Sequence, residues 1–149
     1  MPAVRREISN FATQCVDANV VLRLLTAPEH PAVAELWSEF VAADVELVAP
    51  TLLTYEVVNA LHQRCRHGRL GSERAHELLD AAQALPIALH GDAHLYARAL
   101  ELADEHNLQA TYDAHYVALA ERFRVPLWTC DRQLAKELRE SPPQVHLVV

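Results

Sequence analysis

Short β-prone runs alternate along this chain with longer stretches whose apolar positions recur every three to four residues. In the segment Cys15 to Leu25 a run ending at Val16 meets Asp17 and then gives way to a helical period. The segment Val125 to Leu134 repeats the pattern, with a Pro-led run reaching Asp131 before a helix. The pattern as a whole predicts strand 12–17, helices 19–26 and 30–43, strand 45–49, and helices 51–67 and 72–84. Strand 86–90, helices 92–106 and 111–123, strand 126–130, helix 131–140 and strand 144–148 complete it. Such alternation argues for an α/β fold of three layers, α/β/α, in which helices cover both faces of a parallel sheet. Ligands of open α/β sheets bind beyond the carboxyl ends of the strands, where strand order reverses, so Asp17 and Asp131 are expected to share one crevice. Periodicity leaves the strand order itself open.

Two further acids lie on predicted helices. Leu52, Leu53, Glu56 and Ala60 share a helix face, which turns Glu56 toward the apolar side. A buried carboxylate needs a partner, and the chain has a single lysine, Lys136. Asp113 falls in the first turn of its helix on a stripe with Val117 and Ala120. Taken singly, Asp17 and Asp131 also read as N-caps, and Asp113 as an acid favoured by the helix dipole. Glu56 has no such ready explanation. The four acids together, each at a strand end or a helix start, point to a site assembled by folding.

Composition narrows the setting. At 149 residues and 51% hydrophobic, the chain can bury one core, and no linker, repeat or low-complexity run divides it. Met1 to Cys15 carries Arg5, Arg6 and Glu7 without a signal-peptide core, and no apolar stretch approaches a membrane span, so a cytoplasmic protein is expected. Cys15, Cys65 and Cys130, odd in number and widely spaced, suit reduced thiols. His62, Cys65 and His67, like the pair His90 and His94, lack a recognised zinc-ligand framework. A net charge of −7 argues against a generally basic nucleic-acid surface, but the four acids account for more than half of it. The densest basic stretch, Arg64, Arg66 and Arg69 with His62 and His67, closes a predicted helix. It reads either as an RNA or partner contact or as a solvated helix end.

These four acid-bearing segments, in this order, resemble the PIN-domain nucleases, and most closely the VapC-type toxins of toxin–antitoxin pairs. The resemblance spans Ala12 to the C-terminus. It includes Asn19 two residues after the first acid, Thr129 two before the last, and the run Tyr112 to Ala114. It implies a single domain over 12–149 preceded by a short extension, 1–11, and a five-stranded parallel sheet with its first and fourth strands adjacent. It further implies a metal site built from Asp17, Glu56, Asp113 and Asp131, an RNA substrate, a cognate antitoxin and a homodimer. Hard oxygen donors suit Mg²⁺ or Mn²⁺, and phosphodiester hydrolysis follows as the reaction. Asp17, Asp113 and Asp131 are assigned as direct or water-mediated ligands, and Glu56 as a ligand through water or a group that orients the nucleophile. Asn19 and Thr129 are expected to hold the carboxylates. Alternatives within the fold are a PIN nuclease of RNA processing and a catalytically silent RNA-binding or regulatory PIN domain. A haloacid-dehalogenase-like phosphatase fits less well, because its second aspartate would fall at Asn19 and its lysine has no counterpart.

Overall fold

The computed structural model describes residues 12–149; the expected extension at 1–11 lies outside the described residues. Strands β1 (Thr13–Val16), β2 (Glu46–Pro50), β3 (Ile87–His90), β4 (Leu127–Thr129) and β5 (Val145–Leu147) form one sheet in the order β3-β2-β1-β4-β5, with every neighbouring pair parallel. Among the described residues seven helices connect them: α1 (Ala18–Thr26), α2 (Pro31–Ala42), α3 (Leu52–Arg66), α4 (Ser72–Ala84), α5 (Ala93–Glu105), α6 (Tyr112–Phe123) and α7 (Arg132–Glu137). The first and fourth strands are adjacent, so strand order reverses between them, and Asp17 and Asp131 follow the two strands that flank that point.

Burial follows position in the sheet. β1, β2 and β4 are central and almost wholly buried, whereas β3 and β5 at the edges are half exposed. The alternation of side chains then sorts the layers. Trp128 meets Phe40 of α2 edge to face, with ring centroids 5.9 Å apart. Cys15, of opposite parity to Val16 and its partner Trp128, lies against α6, where its thiol reaches the Tyr116 carbonyl at 3.8 Å. Helices therefore cover both faces, as the three-layer reading requires. One polar pair is built into this core: Trp128 Nε1 donates to the buried Gln14 Oε1 at 2.9 Å, so neither group is desolvated without compensation.

The elements agree with the sequence-based expectation to within a residue or two except at α7. The helix expected over 131–140 ends at Glu137, with Leu138 as its C-cap. Turns follow it, and Pro142 and Pro143, which cannot continue a helix, lead into β5. Among the described residues no helix is long and apolar enough to cross a membrane.

Candidate active site

The register between β1 and β4 builds the centre of the site. Cys15 pairs with Leu127 and Val16 with Trp128, and the Asp17 N–H continues the ladder to the Trp128 carbonyl at 2.9 Å. The next step brings Asp17 beside Thr129, whose hydroxyl donates to Asp17 Oδ2 at 2.8 Å. Asn19, in the first turn of α1, donates from Nδ2 to the same oxygen at 3.2 Å. Its Oδ1 accepts from the Cys130 N–H at 2.9 Å, which ties α1 to the end of β4. Thr129 Oγ1 in turn accepts from the Asp131 N–H at 3.0 Å. Asp17, Asn19, Thr129 and the Asp131 backbone thus form one connected network across the switch point.

The two strand-end aspartates use their carboxylates differently. Asp131 is an N-cap in fact: its Oδ1 accepts from the N–H groups of Gln133 at 2.8 Å and Leu134 at 3.1 Å, leaving Oδ2 outside the cap. Asp17 occupies the N-cap position of α1, yet its side chain makes no capping hydrogen bond. The simple capping explanation fails for the more buried acid, which is only 4% exposed.

Glu56 and Asp113 come in from α3 and α6, both half buried. Tyr116, a residue the sequence reading did not single out, joins them. It follows Asp113 by one helical turn, is 0% exposed, and donates its hydroxyl to Glu56 Oε1 at 2.6 Å. Sixty residues separate the two partners. No local signal in the sequence distinguishes this tyrosine from an ordinary core aromatic.

Charge repulsion records how the acids face one another. Burial raises the Asp17 carboxyl to about 7, the Thr129 hydrogen bond opposes that rise, and repulsion from Asp113 and Glu56 adds to it. Glu56 is raised by burial and by Asp113, against the opposing pull of Tyr116 and His115. Asp113 is raised by burial, then by Asp131 and Glu137. Among the described residues, none of the ion pairs involves any of the four acids. Within the described residues the site keeps negative charge that no ion pair neutralises.

A hard divalent cation fits this donor set, which consists of carboxylate oxygens. Among the described residues no three acid, histidine or cysteine side chains stand close enough together to hold a metal ion by themselves. Mg²⁺ characteristically keeps several waters and binds through a few carboxylates together with substrate phosphate.

The basic stretch lies elsewhere. Arg64 and Arg66 occupy the last turn of α3, and Arg69 follows it. At about 1.5 Å per residue, Arg64 sits roughly 12 Å along the axis from Glu56, and Arg66 about 15 Å. A hollow of about 270 Å³ lies between α3 and α4, bordered by Val58, Leu61, Cys65, Ala75 and Leu79 with His62 and His76. A second hollow of about 190 Å³ continues past Leu79 toward Leu53, Val57 and Leu89.

Comparison with known proteins places this geometry. The family model described as PIN domain matches residues 15–137, which include all four acids. Ribonuclease VapC3 of Pyrobaculum aerophilum is 36% identical over 124 residues, covering 82% of this chain and 92% of that protein. A crystal structure of a P. aerophilum protein superposes with a TM-score of 0.65 at 26% identity, covering 84% of each chain. The fold is also shared with VapBC2 from Rickettsia felis, solved bound to a DNA fragment from its promoter. There the TM-score is 0.67 at 12% identity, over 91% of this chain and 98% of that one.

Proposed function

We propose that this chain, which belongs to the PIN domain family, is a metal-dependent endoribonuclease and the toxin of a toxin–antitoxin pair. The observation that supports the metal-dependent reading is Asp17: a carboxylate buried at the switch point, given two side-chain hydrogen-bond donors but, among the described residues, no ion-pair partner, and repelled by two further acids. Asp17, Asp113 and Asp131 would hold Mg²⁺ or Mn²⁺ directly or through water. Bound there, the ion would lower the pKa of an attacking water and stabilise charge on the leaving oxygen of an in-line displacement. Thr129 and Asn19 both engage Asp17 Oδ2, which fixes the carboxylate plane and directs Oδ1 away from that pair of donors. Glu56, held through Oε1, presents its other oxygen to orient the nucleophile or to bind the metal through water.

Partner binding is supported by a different surface. The hollows between α3 and α4 form an apolar groove suited to an amphipathic segment of an antitoxin. Arg64 and Arg66 in the last turn of α3, and Arg69 after it, lie at the end of that helix away from Glu56, which favours a partner contact over a role at the scissile phosphate. A basic residue from the bound antitoxin would pair with the acids and compete with metal, linking inhibition to metal loss. We further propose a cytoplasmic homodimer.

Chelation tests the catalytic reading. EDTA should stop cleavage of RNA and added Mg²⁺ or Mn²⁺ should restore it, while His62→Ala and His67→Ala retain activity. Cleavage that persists in excess chelator, but is absent from Asp17→Asn prepared identically, would defeat the metal mechanism.

A further inference from the structure

We infer that Tyr116 is a positioning residue for Glu56: its hydroxyl sets the orientation of that carboxylate and thereby the affinity of the acid site for a divalent cation. The inference rests on the metal reading of the four acids and assigns a residue outside them.

Three observations converge on it. Tyr116 is 0% exposed, and a tyrosine hydroxyl in such surroundings must find a partner; the one it takes is a carboxylate belonging to the site. The separation of 2.6 Å is that of a short hydrogen bond between a hydroxyl and a carboxylate, the stronger class of such bonds.

The third observation is topological. Tyr116 is the point where three acid-bearing elements meet. Its carbonyl contacts the thiol of Cys15, two residues before Asp17 on β1. Its hydroxyl reaches Glu56 on α3. On its own helix it stands one turn after Asp113, on the same inward stripe. Without this tether Glu56, half buried and on a long side chain, has several rotamers open to it, and repulsion from Asp113 would drive it outward. The hydroxyl occupies Oε1 and leaves Oε2 for the ion or its water. An ordinary core tyrosine would need only some acceptor; this one takes a site carboxylate and holds it against repulsion.

The test is a double-mutant cycle read by calorimetric titration with Mn²⁺ on the wild type, Tyr116→Phe, Glu56→Gln and the double variant. Loss of an outer partner of a ligand is expected to weaken Mn²⁺ binding about ten-fold or more. The same change in the Glu56→Gln background should have no further effect. A purely structural tyrosine would lower the melting temperature of Tyr116→Phe while leaving Mn²⁺ affinity at the wild-type value, and that result overturns the inference with the metal site intact. Wild-type affinity in Glu56→Gln likewise overturns it, by removing Glu56 from the site. Absence of Mn²⁺ binding by the wild type defeats the metal reading itself, and the inference falls with it. Should Tyr116→Phe fail to fold, Glu56→Asp withdraws the carboxylate from the hydroxyl by one methylene without touching the core. Unaltered Mn²⁺ affinity in that variant would overturn the proposal, and affinity weakened about ten-fold at an unchanged melting temperature would support it.

Discussion

Replacing Asp17 by Asn should stabilise the metal-free protein at alkaline pH, even though it removes a residue from the heart of the site. The Asp17 carboxyl rises from 3.8 in the unfolded chain to about 7 in the fold. Between those values the folded state holds a proton that the unfolded state has released, so stability falls as pH rises. Below about pH 4 both states are protonated and the penalty vanishes; above about 7 it is fully present. Three pKa units correspond to about 4 kcal/mol, taken as an order of magnitude. Asn escapes this cost at little structural expense, because Thr129 and Asn19 both donate to the same oxygen, Oδ2, which the amide oxygen can replace. In EDTA at pH 8 the variant should therefore melt roughly 10 °C above the wild type, at about 2–4 °C per kcal/mol for a chain of this size. At pH 4 the two should nearly coincide. Mn²⁺ should reverse the order at pH 8 by stabilising only the wild type. A variant that is less stable than the wild type at pH 8 in chelator, or a difference independent of pH, would show that Asp17 is compensated by something other than a cation.

How far the fold and the site were legible depends on the range of the interaction concerned. Strand ends at Asp17 and Asp131 could be read because a β-prone run, an acid and a helical period lie within a dozen residues. Their juxtaposition is not a local property: it depends on β1 pairing with β4, more than a hundred residues away, and the resemblance to a known family supplied that order. Thr129 and Asn19 stood out through the family resemblance, two residues from the last and the first acid, and the structure places both against Asp17. Asp131 behaves as local chemistry suggests, capping its helix, whereas Asp17 sits in a cap position without capping. Tyr116 was invisible because an aromatic in an alanine-rich helix is ordinarily core, and its hydrogen-bond partner lies sixty residues upstream. The basic stretch looked equally suited to substrate or partner until the length of α3 carried it away from the acids.

Two further outcomes separate the surfaces that the proposed function assigns. Changing Arg64, Arg66 and Arg69 together to Ala should leave the RNA cleavage rate within about two-fold, since charges a Debye length of about 8 Å or more from the acids are largely screened, yet release a co-purifying antitoxin. Light scattering should give a dimer before and after the change, and a monomer at micromolar concentration with no growth arrest on expression would defeat the toxin assignment while leaving the nuclease reading open. Thr129→Val probes the opposite surface with almost no change in volume. The hydroxyl donates to Asp17 and accepts from the Asp131 N–H, so its loss strips a buried carboxylate of its shortest hydrogen bond and leaves a backbone donor unpaired. Either loss costs about 1–3 kcal/mol where water cannot replace the partner. The two differ in pH dependence: the first matters only while Asp17 is ionised, the second at every pH. Because the Thr129 bond holds the Asp17 carboxyl down, its removal should raise that carboxyl further, and the excess instability of Thr129→Val over wild type in chelator should grow from pH 5 to pH 8. Urea denaturation at the two pH values measures this directly. An excess that is the same at both would mean that Thr129 serves the backbone of the β4–α7 turn alone and has no hold on the carboxylate.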